Sequence, residues 1–348
     1  MFKDKLKDYD KDNLIETTYR LPDDAEKAFN KVLSQEIPSK YKEFDNILIS
    51  GMGGSCISAD ILNSYLYFKS NKPIIINRSS VLPSFVNEKT LSIFISYSGN
   101  TIETLNCTKE AINKNSKVAC ITLGGKLSKV CIENQAYLIK LNDNNKMPRS
   151  AIGELFYSLL GFIYKLEVFN INKDEIDSSI IALKKLRDEI DIYKNNINWL
   201  VELAMKIINR KIVIFGVNPY TSSVALRWKT QFNENSKLTV IYNNFPELTH
   251  NEIVNLFYEN LNDYYFIILR DTDEEPFVNK QIETFIELIK DKSMIYNFLP
   301  KSESFLERIM KLLYVGDYLS IYLAILNEIN PSPIEPIFLL KDKMKNYE

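Results

Sequence analysis

The sequence has little of the material from which metal sites are built. It contains one histidine, His250, and four cysteines in 348 residues, with no Cys-x-x-Cys pair. A zinc site made of Cys and His is therefore not expected. Scattered thiols without a dense framework suit a reducing compartment. Any imidazole chemistry has to use His250.

An excess of charge of either sign is also missing. The chain carries 43 Lys and Arg against 45 Asp and Glu, a formal net charge of −2. This balance gives no reason to expect a nucleic-acid partner. A bound anion would have to be held by local backbone amides and hydroxyl groups.

Long apolar runs are scarce as well. The first twelve residues are highly charged, unlike a signal peptide, and the longest apolar runs have the length of strands. No membrane span and no membrane partner are expected, and the expected location is the cytoplasm. The length and the 45% hydrophobic content predict two globular domains.

Short apolar runs alternate with helical patterns in both halves of the chain, which is typical of parallel α/β sheets. In the first half, strands are predicted at 46–50, 74–77, 91–96, 118–122 and 137–141. In the second half, they are predicted at 211–216, 238–242, 264–270 and 294–298. Helices are predicted from the start to about 44, at 151–166, 173–196, 221–233 and 277–289, and in two stretches at about 304–327 and 334–345.

Two polar turns are placed after predicted strands of the first half. One is the glycine-rich segment Gly51–Ser55, and the other is the hydroxyl-rich segment Ser96–Thr101. Such turns can bind a phosphate through backbone amides and hydroxyls, although both could simply be capped helix starts. The candidate phosphate-binding residues are Gly53, Gly54, Ser55, Ser96, Ser98 and Thr101. Neither turn has the pattern of a Walker loop or a dinucleotide-binding fingerprint, and no cofactor is expected.

These motifs, in this order, resemble the sugar isomerase (SIS) domain superfamily. GMGGS precedes SYSGNT by about forty residues, and Pro148–Ala151 follows. The chain is most similar to bifunctional phosphoglucose/phosphomannose isomerases. The resemblance continues through Asn233–Lys237 and His250–Val254 to Pro331–Ile334 and Lys341, and so covers essentially the whole chain.

The resemblance implies an α/β fold with two SIS-type, flavodoxin-like domains. Each would have a parallel sheet with helices on both faces, and helices would end the chain. The predicted division is an N-terminal SIS domain at 1–172, a connecting helix at 173–196 and a C-terminal SIS domain at 197–348.

The resemblance also implies the residues that carry the chemistry. Glu234 would be the base that moves a proton between C1 and C2, His250 would open the sugar ring, and Arg149 would stabilise the enediolate. Lys341 matches a catalytic lysine, and Ser332 matches a substrate-binding residue that is usually threonine. Apart from the resemblance, Glu234 could be a surface residue, His250 a cap of the next helix, and Arg149 part of a structural ion pair.

The implied activity is the reversible isomerisation of glucose 6-phosphate, mannose 6-phosphate or both with fructose 6-phosphate, a step of glycolysis and gluconeogenesis. The only small-molecule partner would be a sugar phosphate. The resemblance further implies a homodimer with shared active sites, in which the histidine comes from the neighbouring subunit.

Two departures from the family pattern and two alternatives stay open. Cys56 stands where the family usually has glycine, and Ile102 where it more often has an acidic residue. A non-catalytic SIS-domain sensor would keep the phosphate turns without needing Glu234 and His250. An aminotransferase-type isomerase module is normally fused to a glutaminase domain, whose catalytic N-terminal cysteine is missing here.

Overall fold

The structure is a computed structural model that describes residues 2–142, 147–194 and 197–344. Its contacts divide the chain into two compact units, named here the A unit and the B unit. The A unit contains Tyr19–Lys184 and Ser302–Met310, and the B unit contains Met1–Thr18, Lys185–Lys301 and Lys311–Glu348.

The elements alternate along the chain as the sequence predicts. The strands are β1 (Asn46–Gly51), β2 (Ile74–Asn77), β3 (Thr90–Ile95), β4 (Lys117–Thr122), β5 (Tyr137–Lys140), β6 (Lys211–Val217), β7 (Val240–Phe245), β8 (Tyr264–Leu269) and β9 (Met294–Phe298). The helices are α1 (Phe2–Tyr9), α2 (Leu14–Tyr19), α3 (Leu21–Leu33), α4 (Gly53–Leu66), α5 (Ile102–Asn113), α6 (Gly125–Glu133), α7 (Ile152–Leu166), α8 (Lys173–Ile190), α9 (Trp199–Ile207), α10 (Ser222–Glu234), α11 (Glu252–Tyr258), α12 (Pro276–Ile289), α13 (Phe305–Leu326) and α14 (Glu335–Met344).

The A unit contains a five-stranded sheet in the order β2-β1-β3-β4-β5, with every neighbouring pair parallel. In β1, Ile49 lies beside Ile76 on one side and Ile93 on the other. Ile49 and Ile93 are fully buried, which agrees with the continuous apolar runs typical of parallel sheets. The strand order reverses between β1 and β3. In sheets of this order that reversal marks the place where ligands bind.

The B unit contains a four-stranded parallel sheet in the order β7-β6-β8-β9. This order is the same as that of β2-β1-β3-β4 in the A unit. The strand order therefore reverses between β6 and β8, as it does between β1 and β3. In β6, Val213 lies beside Ile241 and Phe266. The prediction of an α/β fold with two parallel sheets is confirmed.

Two local features differ from the prediction. The opening segment forms three helices, with Asn13 at a left-handed φ of 53° between the first two. Strand β7 begins at Val240 and continues through Asn243 and Asn244, where the sequence places it at 238–242. Asparagine is uncommon in strands. Here, pairing with β6 outweighs the low strand propensity of Asn243 and Asn244.

The two units do not follow the predicted domain boundaries. The first residues, up to Thr18, belong to the B unit, and Ser302–Met310 belong to the A unit. The division also falls between Lys184 and Lys185, inside the predicted connecting helix, which is α8. Helical spacing shows which residues form a helix, but it does not show which sheet that helix packs against.

Helix α13 corrects the expectation that no stretch reaches the length of a membrane span. This helix of 22 residues, Phe305–Leu326, contains an 18-residue window with a mean hydropathy of 1.5, and by length and composition alone it is long and apolar enough to cross a membrane. The interior of the protein buries 89% of its apolar window. Such burial is typical of a core helix.

Candidate functional site

The two predicted phosphate turns meet at the strand reversal of the A unit. The glycine turn follows β1 and the hydroxyl turn follows β3, and these strands are direct neighbours. The Ser55 hydroxyl accepts a hydrogen bond from the Tyr97 amide at 3.2 Å, which joins the two turns. The sequence motifs therefore form one cluster, at the position where α/β sheets bind ligands.

The glycine turn needs glycine for its backbone conformation at Gly53 and for a close approach of another segment at Gly54. Gly53 has a left-handed φ of 51°. A Cβ atom on Gly54 would lie 3.1 Å from Cα of Arg149 and 3.3 Å from the Pro148 carbonyl oxygen. The short 3₁₀ turn Pro148–Ser150 is thereby brought against the glycine turn, and Arg149 is only 3% exposed. Predicted site residues that lie almost a hundred positions apart in the sequence are thus adjacent in space.

The hydroxyl turn is built around a contact between Ser96 and Thr101. Their side-chain oxygens are 2.9 Å apart, and the Gly99 amide donates to Ser96 Oγ at 3.1 Å. Gly99 has φ of 69°, and a Cβ there would overlap the Gly124 carbonyl oxygen. Ser98 is exposed, and its Oγ accepts from the Asn100 amide at 3.3 Å.

The simple capping interpretation is not supported at either helix start. Among the described residues, no side chain caps α4 at Met52 or α5 at Thr101. The Thr101 hydroxyl contacts Ser96 instead. Two helix N-termini, each with a positive dipole end and amides without intrahelical partners, therefore lie beside the cluster. This combination favours a phosphate group.

The two departures from the family pattern are accommodated locally. Cys56 is 1% exposed, and burial raises the pKa of its thiol to about 12, while Arg78 opposes the rise. A thiol with so high a pKa is a poor nucleophile at neutral pH. Ile102 begins α5, and the next residue, Glu103, supplies an acidic group in the first helical turn.

In the B unit, Glu234 lies beside the loop that carries Ser332. Glu234 is the half-buried last residue of α10, and Ser332 is 1% exposed. Lys237 joins the two segments: its Nζ donates to the carbonyls of Pro331 at 3.1 Å and Pro333 at 2.8 Å, and to the Glu234 carbonyl. The sequence prediction did not include Lys237. The only available signal was its position at the end of the Asn233–Lys237 segment.

A row of buried polar contacts fixes α10 against α13. Arg227 binds both carboxylate oxygens of Asp317 at 3.0 Å, and Gln231 donates to the same carboxylate at 3.0 Å. Just after α10, its C-cap residue Asn235 donates to Ser320 Oγ at 2.9 Å. Burial raises the pKa of Asp317, and Arg227 opposes the rise. Because buried polar groups are costly without partners, this row defines the orientation of α10 and of Glu234 at its end.

His250 does not cap the helix that follows it. It ends the short 3₁₀ turn Glu247–His250 and is exposed. The cap of α11 is Asn251, whose side-chain oxygen accepts from the Glu252 amide at 2.7 Å. The capping alternative is therefore wrong, and the imidazole is accessible.

Within one chain, Glu234 and His250 lie at opposite ends of β7. Glu234 precedes the strand and His250 follows it. A strand of this length rises about 17 Å from its first residue to its last. The two predicted catalytic residues of one chain are not brought together by this fold.

Lys341 lies on α14, in which no residue is buried. The exposed residues of this helix include the apolar side chains of Phe338, Leu339 and Leu340, each about 60% exposed. Lys341 itself is exposed and lies in the last turn of α14.

The strand reversal of the B unit is built differently from that of the A unit. The Thr221 hydroxyl donates to the Leu269 carbonyl at 2.6 Å and accepts from the Val217 amide at 2.9 Å, so it bridges the ends of β8 and β6. Arg270 is paired with Glu274 over several contacts, the longest 3.0 Å. Among the described residues, only the A unit presents the glycine and hydroxyl turns. Across the described part of the chain, no group of three or more His, Cys, Asp or Glu side chains is placed to hold a metal ion.

Comparisons with known proteins agree with this architecture. A bifunctional phosphoglucose/phosphomannose isomerase from Caldicellulosiruptor bescii is 34% identical over 338 residues, which cover 95% of this chain and 98% of that protein. The chain belongs to this isomerase family. A second member, from Thermoplasma acidophilum, is 34% identical over 86% of this chain and 90% of its own length.

Two further comparisons support the fold of this isomerase family member. Residues 198–344 match the family model described as the bacterial phospho-glucose isomerase C-terminal SIS domain. The crystal structure of a hypothetical protein from Thermus thermophilus superimposes with a TM-score of 0.77 at 15% identity, covering 99% of this chain and 93% of that one. The predicted family and the SIS-type fold are confirmed.

Proposed function

We propose that this family member catalyses the reversible isomerisation of glucose 6-phosphate and mannose 6-phosphate with fructose 6-phosphate, without a cofactor. The observation that carries the proposal is the arrangement around Glu234. A half-buried carboxylate ends a helix that is fixed by buried polar contacts, next to a loop with a small hydroxyl residue. A sensor that only binds sugar phosphate would not need this arrangement.

The A unit supplies the phosphate site in this proposal. Ser55, Ser96, Ser98 and Thr101 offer hydroxyls, and Gly53 and Gly54 let the backbone approach the anion. The nearly neutral chain does not favour an anion globally, so local amides and the two helix dipoles supply the attraction.

The proposed chemistry is an internal hydrogen transfer. His250 opens the ring by moving a proton between the ring oxygen and the C1 hydroxyl. Glu234 removes the C2 proton of the open aldose, which gives a cis-enediolate, and returns a proton to C1. The O2 proton is lost and O1 gains one, so the C1 carbonyl becomes a hydroxyl and C2 becomes the carbonyl. No electrons leave the substrate, and no redox cofactor is needed.

The remaining predicted residues have supporting roles in this scheme. Arg149 offsets the negative charge that develops on the enediolate oxygens. Ser332 and Lys341 bind the sugar near C1 and C2, and the small serine leaves space for both the glucose and the mannose epimer.

We further propose a homodimer in which His250 is contributed by the neighbouring subunit. This proposal is supported by the position of Glu234 and His250 at opposite ends of β7. Next to His250, helix α11 also exposes Val254, Phe257 and Tyr258, of which Tyr258 is 84% exposed. Such an apolar surface is typical of a site where another protein surface binds. The cytoplasm is the proposed location, and four unpaired cysteines agree with a reducing compartment.

A coupled assay of the purified protein with fructose, glucose and mannose 6-phosphates tests the proposed function. We expect turnover of all three, unchanged after exhaustive treatment with a strong chelator, since one histidine cannot build the usual zinc site of a metal-dependent isomerase. Binding without turnover would indicate a sensor. Activity that is lost with chelator and restored by zinc or manganese would contradict the metal-independent mechanism.

A further inference from the structure

We propose that Lys237 is a positioning residue that holds Glu234 and Ser332 as one unit. This inference rests on the proposed function and adds a residue to it. In this role Lys237 affects both the rate of proton transfer and the preference between the glucose and mannose epimers, without binding the phosphate.

The contacts of Lys237 reach both segments at once. An ammonium group has three N–H donors, and three backbone carbonyls accept from it here. One belongs to Glu234, and the other two, at 3.1 and 2.8 Å, belong to Pro331 and Pro333. The two proline carbonyls flank Ser332, so the lysine fixes the backbone on either side of that hydroxyl.

Lys237 is exposed, but the segments that it joins are held by further contacts within the B unit. Ser236, which precedes Lys237, donates from its hydroxyl to the Ser320 carbonyl at 2.5 Å, so the end of α10 is tied to α13. After α13, the Ser332 amide donates to Asn330 Oδ1 at 3.0 Å. The chain that leads to Ser332 is itself held at the end of α13, where the Ile329 amide donates to the Ala324 carbonyl at 2.9 Å. Small displacements of a positioned group can cost large factors in rate.

The backbone at this position does not itself require lysine. Lys237 has a left-handed φ of 58°, a conformation that asparagine and glycine adopt more readily. What lysine adds is the reach and the three donors of its side chain. A substitution can therefore remove the contacts while keeping, or even easing, the backbone conformation.

The test compares Lys237→Met and Lys237→Asn with the wild type. Met keeps the length of the side chain without the donors, and Asn suits the left-handed backbone but cannot reach the carbonyls. We expect both to lower kcat about tenfold with KM for fructose 6-phosphate within about twofold, and to change the ratio of mannose to glucose product severalfold. Lys229→Met, which removes a half-buried lysine from α10, the helix that ends just before Lys237, is the control and should leave these values unchanged.

Hydrogen exchange measured by mass spectrometry on the same proteins separates this proposal from the proposed function. We expect faster exchange at Ser332 and Ile334 in both Lys237 variants and not in Lys229→Met. A wild type without isomerase activity would defeat the proposed function, whereas the exchange result would still report on the connection. The inference is overturned if exchange at 332–334 is unchanged, if kcat and product ratio stay at wild-type values, or if activity falls only in proportion to the folded fraction.

Discussion

At the scale of single residues, the proposed phosphate site is built around the contact between Ser96 and Thr101. Each hydroxyl orients the other at 2.9 Å, and Ser96 also accepts from the Gly99 amide. A phosphate oxygen that binds here would meet hydroxyls that are already oriented, and such preorganisation lowers the cost of binding.

Ser96→Ala and Thr101→Ala should therefore weaken substrate binding. Each removes one hydroxyl contact worth about 0.5–1.5 kcal/mol, and more to a charged partner, so KM should rise several-fold with a smaller change in kcat. Ser116→Ala is the control, because its hydroxyl bonds Ser92 at 2.6 Å and the Thr90 carbonyl at 2.8 Å at the start of β3. Steady-state kinetics with fructose 6-phosphate provides the measurement. An unchanged KM in both variants would mean that phosphate binds elsewhere.

Lys237 shows what a sequence motif leaves undetermined at this scale. Glu234 and Ser332 could be named because they stand in motifs that resemble those of a family. That one lysine reaches the segments of both depends on a left-handed turn after α10 and on the course of the chain after α13. Neither is encoded in local spacing.

At the scale of elements, the middle of helix α4 carries a largely buried acid, Asp60, whose side chain is 14% exposed. Desolvation raises the pKa of Asp60 to about 6, although the contact with Arg78 opposes the rise. The folded state thus binds this proton more tightly than the unfolded chain. The stability contributed by Asp60 is complete below pH about 4 and is lost as the pH rises through about 6.

Asp60→Asn should accordingly gain stability relative to the wild type as the pH rises. Between pH 4 and 7 the difference in the free energy of unfolding should shift in favour of the variant by on the order of 2 kcal/mol. Asp45→Asn is the control, since this carboxylate is 67% exposed and 3.9 Å from Lys89. Urea unfolding at several pH values measures the difference. A difference that stays constant with pH would show that Asp60 is not desolvated.

The elements themselves were largely predictable from the sequence. Strands such as β1 and β3 are mostly buried and mainly apolar, with turn residues at their ends, so short apolar runs in the sequence identify them. The sequence pattern failed at the asparagines of β7, where tertiary contacts override strand propensity. It also failed at Asn13, where a single left-handed residue separates two helices. That the two polar turns lie at one edge of the sheet was predictable, because each follows a strand of the same parallel sheet.

At the scale of the whole molecule, the assignment of helices to the two units was not predictable. The chain up to Thr18 joins the B unit, and Ser302–Met310 joins the A unit, although each is distant in sequence from most of its unit. Such pairings depend on long-range packing that helical spacing does not report. The oligomeric state belongs to the same scale, and here the positions of Glu234 and His250 suggest a direct experiment.

Mixed dimers of Glu234→Gln and His250→Ala chains should recover activity. If each active site takes its glutamate from one subunit and its histidine from the other, a mixed dimer has one intact site and one that lacks both groups. Random exchange of equal amounts should then restore about a quarter of wild-type activity, since about half of the dimers are mixed. No recovery after confirmed subunit exchange would show that both residues act within one chain.

The central claim is that Glu234 moves a carbon-bound proton, and isomerisation in deuterium oxide tests it most directly. Proton NMR follows both the conversion of fructose 6-phosphate to the aldose phosphates and the entry of deuterium at C1 and C2. We expect the wild type and the control Glu202→Gln, an exposed residue of α9, to show both processes. Glu234→Gln should slow both in parallel by about 10²–10⁴-fold while still binding substrate. Near-normal conversion by Glu234→Gln, or a wild type that binds fructose 6-phosphate without converting it, would contradict the account.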